Sequence, residues 1–238
     1  MIEVKGLHKA FGSQTILNDV DLCIDGNQCF GLIGRNGAGK TTLFRILSGL
    51  LQQDRGQFFY QGASFTGKQT TALKRQIGLV LDESILIPEL SGMEFLQLTG
   101  QLYGLSREKI QEEATELVRV FFDREDDAGR QIATYSAGMK KRIMLCGALM
   151  HRPKYLLLDE PFAGLDVVSI GKVIEWIKDY ARNNLVLLSS HNLSFIERCC
   201  REIAILEKGE ILFKGSIGAF ISGGEKKLEN HVYDMLMP

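Results

Sequence analysis

The chain has 238 residues, 45% of them hydrophobic and 24% charged, with a net charge of −1. That length suits one large domain or two small ones, and the near-neutral balance excludes a general nucleic-acid binder, which carries a basic face or tail. No apolar stretch reaches the ~18–20 residues of a spanning helix, and the start MIEVKGLHKAF lacks a signal-peptide core, so a cytosolic chain that does not cross a membrane by itself is expected.

In chain order, the apolar segment CFGLIG (29–34) is predicted to be a strand running into glycines, and TTLFRILSGL a helix with Leu43, Leu47 and Leu50 at helical spacing. GQFFYQG and IGLVL predict strands. SGMEFLQLTGQLYG opens with Ser91 and Glu94 in capping-box spacing, so a helix follows. SREKIQEEATELVRVFF predicts an amphipathic helix, and a further helix is predicted from about Ala137 to Met150. YLLLDEP and LVLLSSH are apolar without alternation, the pattern of strands buried on both faces. Between them, DVVSIGKVIEWIKDYARNN predicts a helix with Ile170, Val173, Ile174 and Ile177 on one stripe. EIAILEKGEILFKG predicts a hairpin turning at Lys208–Gly209, and the last stretch, 217–237, a short helical tail.

Strands alternating with helices predict an α/β fold around a mostly parallel sheet. The helices between about 85 and 150 interrupt that pattern and are predicted to be an inserted helical subdomain. The core then spans about 1–84 and 151–215, with a tail over 216–238, all in a single domain. The five cysteines (Cys23, Cys29, Cys146, Cys199, Cys200) are odd in number and lack CxxC spacing, so reduced packing residues are expected; a redox role for the vicinal Cys199–Cys200 pair stays open. The short runs Lys140, Lys141, Arg142 and Lys226, Lys227 read as solvated faces.

GRNGAGKTT (34–42) fits G-x-x-x-x-G-K-[ST] between a strand and a helix. Its residues Gly34, Asn36, Gly37, Ala38 and Gly39 can wrap backbone N–H groups around a phosphate at a helix N-terminus. Lys40 adds a point charge for the outer phosphates, Thr41 a hydroxyl for Mg²⁺, and Thr42 follows. YLLLDEP puts Asp159 and Glu160 at a strand end, where the carboxyl edge of an α/β sheet would turn them toward that loop. Asp159 suits the Mg²⁺ shell and Glu160 the activation of water. His191 ends the LSSH strand; a lone histidine is more often a surface or core residue, but a neighbouring strand terminus lets it bond a terminal phosphate. Phe11 reads equally as ordinary packing or as an aromatic face under a base. YSAGMKKR (135–142) offers a serine, a glycine and then cations, a second segment suited to an anion.

Taken in order, these residues resemble the ATP-binding-cassette (ABC) ATPase family. The resemblance covers about residues 2–215 and rests on GRNGAGKTT (Walker A), YSAGM (signature-like), LLLDE (Walker B), AGLD at 163–166 (D-loop-like) and the switch histidine in SSH. It implies a P-loop NTPase core with an N-terminal antiparallel β part, ATP and Mg²⁺ as ligands, and ATP hydrolysis. It also implies that two ATPase domains, identical or paralogous, close head to tail, so that Ser136 and Gly138 bind the γ-phosphate held by a partner's Lys40 and Asp166 lies across the same interface. The family's usual signature is L-S-G-G-Q; Tyr135, Ala137 and Met139 depart from it here. Asp82 falls where the family often has glutamine, and is implied to act near Mg²⁺ and the attacking water.

The segment PELSGMEFLQLTGQLYGL (88–105) is similar to the one that meets membrane partners in ATPase subunits of bacterial exporters. Transmembrane permease subunits, peripheral attachment at the inner face of the cell membrane and export are therefore expected. A soluble ABC ATPase acting on ribosomes or DNA usually carries two cassettes, a long coiled coil or a zinc insertion, none of which is present. A GTPase would carry N-K-x-D, also absent.

Overall fold

A computed structural model describes residues 1–65, 70–81, 85–221 and 228–236. The chain opens with two long strands, β1 (Ile2–Phe11) and β2 (Gln14–Ile24). They join β4 (Arg55–Tyr60) and β5 (Ala63–Ser64) in an antiparallel sheet of order β2-β1-β4-β5. A second sheet holds β3 (Cys29–Ile33), β6 (Ile77–Val80), β7 (Tyr155–Asp159), β8 (Leu185–Ser189), β9 (Glu202–Glu207) and β10 (Glu210–Ser216) in the order β10-β9-β3-β8-β7-β6. Its strands are parallel except for the β9–β10 hairpin. The antiparallel N-terminal part implied by the family resemblance is present. The GQFFYQG strand belongs to it rather than to the parallel sheet.

The leucine-rich strands explain themselves in this arrangement. Leu156, Leu158, Val186 and Leu188 enter one hydrophobic cluster, and Tyr155, Leu157, Leu185 and Leu187 enter another on the opposite face. Side chains alternate across a strand. Both faces are covered, so the polar half of the usual alternation never appears. The first cluster is closed by helices, the second by the antiparallel sheet and α1 (Lys40–Leu47).

The short α2 (Thr70–Lys74) precedes β6, and three helices, α3 (Gly92–Leu102), α4 (Arg107–Phe121) and α5 (Ala137–Leu149), come after it and pack on one another. The Ser91–Glu94 capping box is formed in full: Glu94 N–H donates to the Ser91 hydroxyl oxygen and the Glu94 carboxylate accepts from Ser91 N–H. Helix α6 (Val167–Ala181) connects β7 to β8, with Val173, Ile174 and Ile177 buried and Ile170 half-buried. Helix α7 (Leu193–Cys199) leads to β9; seven residues carry too little periodicity to be read from sequence. The tail supplies α8 (Ile217–Ile221) and α9 (Leu228–Leu236).

Two sequence expectations fail for physical reasons. Leu50 lies beyond α1 and is 65% exposed, because Gly49 turns left-handed (φ 71) and ends the helix. Lys141 and Arg142 do not form a solvated face. Helix α5 is enclosed over most of its surface, and Lys141 is buried with its ammonium donating to the Leu81 carbonyl at 3.4 Å. All five cysteines are free; Cys29 and Cys200 place their sulfurs 3.4 Å apart in the core.

Strand β7 lies between β8 and β6 with every residue buried. Leu157→Ala would open a cavity under the antiparallel sheet and is expected to cost about 2–5 kcal/mol. Urea unfolding checks this: the midpoint should fall at unchanged slope, whereas a parental midpoint would place Leu157 outside the tightly packed core.

Candidate functional site

The site grows from the parallel register of β7 and β8, which pairs Asp159 with Ser189 at the carboxyl ends of both strands. Next to them, β3 ends at Ile33 and the chain turns through residues 34–39 into α1. Space requires glycine at 34 and 39, and dihedral angle favours it at 37 and 39. A Cβ on Gly34 would lie 2.3 Å from the Leu206 carbonyl oxygen of β9, and one on Gly39 2.9 Å from that of Ile16 in β2. Gly37 and Gly39 are left-handed, at φ 83 and 109. The turn is thus clamped between two strands, and the first turn of α1 begins with N–H groups that no helical carbonyl can satisfy. Ala38 is buried, Asn36 is exposed and Thr42 is half-buried on α1.

Lys40 is 8% exposed. Its ammonium donates to the carbonyls of Gly34 at 2.8 Å and Arg35 at 3.2 Å. Burial lowers its pKa, against the opposing pull of Glu160, Asp159 and Glu207. A cation held this way by two loop carbonyls can exchange them for a stronger acceptor of negative charge, such as a phosphate.

Thr41 and Asp159 meet directly, Oγ1 donating to Oδ2 at 2.5 Å, and the Ser189 hydroxyl donates to the other Asp159 oxygen. A hydroxyl and a carboxylate in contact form the hard-oxygen pair that Mg²⁺ accepts from a protein when phosphates and waters supply the rest. Among the described residues no cluster of three or more His, Cys, Asp or Glu converges on a point.

Glu160 follows Asp159 in the left-handed region at φ 50, a conformation that costs a non-glycine residue about 1–3 kcal/mol. Its N–H donates to the Ser189 hydroxyl at 3.2 Å. Its carboxylate is held from the next strand end: Oε1 accepts the His191 N–H at 2.7 Å, and Oε2 lies 3.0 Å from His191 Nδ1 and 3.4 Å from the Ser190 hydroxyl. The His191 ring is therefore spoken for by Glu160 on one nitrogen, while its side chain stays 71% exposed. A cavity of about 440 Å³ joins Gly34, Arg35 and Asn36 to Ser190 and His191, with Val232 and Leu236 of α9 on its wall.

A second set of residues meets elsewhere. Ser136 is the N-cap of α5, exposed, its oxygen accepting the Met139 N–H at 3.2 Å. Gly138 is buried against its own chain: a Cβ there would lie 2.8 Å from the Gly164 carbonyl oxygen. Asp166 caps α6 through the Ser169 N–H at 2.9 Å and hydroxyl at 2.6 Å, and pairs with Arg142 at 2.9 Å. The Ser169 bonds and the Arg142 charge hold its carboxyl down to about 2. Phe11 stands apart on the β1–β2 hairpin, 53% exposed rather than packed, with the Lys9 ammonium 5.4 Å from its ring centre. Asp82 lies outside the described residues.

Ser189, Ser190 and Arg142 escape a reading by motif. Ser189 ends β8 and Ser190 follows it, and only the β7–β8 pairing discloses that they hold the two carboxylates.

Comparison with known proteins places this geometry. Residues 17–163 match the ABC transporter family. The linearmycin resistance ATP-binding protein LnrL of Bacillus subtilis (strain 168) is 34% identical over 217 residues, 91% of this chain and 69% of that protein. The Nod factor export ATP-binding protein I of Rhizobium sp. (strain N33) is 33% identical over 221 residues, 92% of this chain and 72% of its own length. A solved ATP binding subunit of an ABC transporter superposes over the whole of both chains with a TM-score of 0.89 and 30% identity. No helix among the described residues is long and apolar enough to cross a membrane. With a match over more than half its length and relatives above 30% identity across nine-tenths of it, the chain belongs to the ABC transporter family, as an ATP-binding, ATP-hydrolysing subunit.

Proposed function

We propose that this subunit is one of two cassettes that close head to tail on ATP and drive export through separate membrane-spanning permease subunits, from the cytoplasmic face of the membrane. The observation that carries the pairing is the company Ser136 keeps. It stands exposed at the N-terminus of a 13-residue helix, and Val167 and Val168, just past Asp166, are 85% and 67% exposed. A helix N-terminus with a hydroxyl favours an anion, and two valines left this bare favour a covering surface. A second cassette presenting ATP on its own phosphate loop supplies both. The Ser136 oxygen already accepts from Met139, and its O–H proton remains to be donated to a γ-phosphate oxygen.

On the loop side, Lys40 would leave the Gly34 and Arg35 carbonyls for the outer phosphates, and Phe11 would lie under the adenine. Thr41 and Asp159 would hold Mg²⁺, which when bound neutralises phosphate charge. Glu160, aimed by His191 and Ser190, would take the proton of the attacking water as the bond between the γ-phosphorus and the bridging oxygen breaks, giving ADP and phosphate. With Nδ1 on Glu160, the other ring nitrogen of His191 is left for the terminal phosphate. Asp82 is assigned to the same water and Mg²⁺ by its place in the sequence.

Coupling to the permease is assigned to α3 and α4. A groove of about 380 Å³ lined by Met93, Gln97, Gln101, Leu105 and Ile110 runs between them, and Leu102 on α3 is 75% exposed. A cytoplasmic segment of a membrane subunit fits such a groove. Export is favoured by the names of the relatives, one for linearmycin resistance and one for Nod factor export.

Two tests follow from this chemistry. Glutamine at 160 keeps size and much of the bonding to His191 but cannot accept the water's proton; a positioned general base is worth ~10²–10⁴ in rate. Glu160→Gln should therefore lose at least about tenfold in steady-state ATPase activity while accumulating an ATP-bound dimer in size-exclusion chromatography. Lys40→Ala should lose nucleotide binding and dimer together. Near-parental hydrolysis by Glu160→Gln would falsify the assignment of Glu160 as base. For the pairing, Ser136→Arg adds bulk and charge at the interface alone, so single-chain ATP binding should persist and ATP-dependent association disappear in sedimentation. The same dimer in mutant and parent would remove Ser136 from a site completed in trans.

A further inference from the structure

The second set of residues is bound together within one chain more tightly than a loose interface loop requires. The Arg142 side chain is only 11% exposed. One end of its guanidinium, Nη1, donates to Asp123 Oδ2 at 2.9 Å, beyond the end of α4. The other, Nη2, donates to Asp166 Oδ2 at 2.9 Å and to the Ser169 hydroxyl at 2.6 Å. Lys172 on α6 closes the circuit, its ammonium 2.7 Å from the other Asp123 oxygen. One planar fork thereby ties the helix that begins at Ser136 to the segment that ends at Asp166.

An independent contact ties the same two pieces at the backbone. The Gly138 Cα faces the Gly164 carbonyl so closely that a Cβ would stand 2.8 Å away, and a Cβ on Gly164 would stand 3.2 Å from that of Ala137. The smallness of residues 137, 138 and 164 is used inside the chain, against each other.

From these contacts we infer that Arg142 is a positioning residue for ATP hydrolysis: it locks residues 136–138 and 163–166 of one cassette into a single rigid unit, so that both approach the partner's nucleotide as one surface. The inference rests on the reading that these segments act in trans. Arginine suits the task and lysine does not, because three acceptors in two directions need a fixed planar fork rather than a point charge on a flexible stem. The cost of a loose unit is large, since about 1 Å of misplacement at a reacting centre lowers rate by as much as ~10²-fold.

The test uses full-length Arg142→Gln and Arg142→Lys, the lysine variant keeping the charge and guarding against misfolding. Each is assayed for single-chain Mg·ATP affinity by fluorescent-nucleotide titration, for ATP-dependent association by sedimentation, and for kcat. Both variants should bind nucleotide as the parent does, associate more weakly, and lose about tenfold or more in kcat. Asp166→Asn added to Arg142→Gln should cost little beyond the single changes, because both break one lock. A residue that merely stabilises the fold would lower the melting temperature and leave the turnover of folded chains untouched. If the parent associates with ATP while both variants associate and turn over like it, Arg142 is not a positioning residue. A parent that never associates overturns the trans reading and this inference with it.

Discussion

Everything at the nucleotide edge depends on the in-register parallel pairing of β7 with β8. It sets Asp159 beside Ser189, so the Ser189 hydroxyl can fix one carboxylate oxygen while Thr41 takes the other. Just past this last pair, Ser190 and His191 come onto Glu160. A slip of one position that set Asp159 opposite Leu188 would take the Ser189 hydroxyl away and leave a buried carboxylate short of a partner, which is costly. The leucines of both strands hold the pair inside the protein, since each face they line is packed against a different layer. The order at this strand edge thus rests on two hydrophobic cores, one on each side of the sheet.

Backbone proximity is the second constraint. Gly34 and Gly39 let the loop press onto β9 and β2, so the loop inherits the rigidity of two strands. Lys40 is correspondingly desolvated and satisfied by its own loop. At this edge the strained backbone is that of Glu160, which sits left-handed, its N–H donating to the Ser189 hydroxyl and its carboxylate accepting the His191 N–H. A carboxylate that must point into a site from a strand end requires such a turn, and the bonds from β8 offset its cost.

Much of this was legible in the sequence because its signals are local. The phosphate loop, the two acids and the histidine each end an apolar run, and the capping box at Ser91 and the hairpin at Lys208–Gly209 announce themselves within four residues. What stayed hidden is contact between distant segments. Arg142 reads as the end of a basic run, yet its partners lie 19, 24 and 27 residues away. Gly138 reads as a site for close phosphate approach, while the structure turns its bare Cα toward Gly164. Strand β4 reads from sequence only as a strand, because nothing in GQFFYQG says that its neighbour is β1. Helix α5 has hydrophobic and small residues nearly all round, so periodicity could locate it but not orient it.

The two sets of functional groups are built on opposite terms. The phosphate-loop set is satisfied within the chain: lysine on carbonyls, threonine on aspartate, glutamate on histidine. The lysine and threonine bonds are ones that phosphate and a divalent cation could take over, whereas the Glu160–His191 pair serves to aim the carboxylate. The Ser136 set is rigid underneath and bare on top. Arg142 and Gly164 fix its underside, while Ser136, Val167 and Val168 stay exposed. Rigidity without cover is the combination expected of a surface that must meet another surface in one orientation, because the entropy of ordering it has been lost on folding rather than on association.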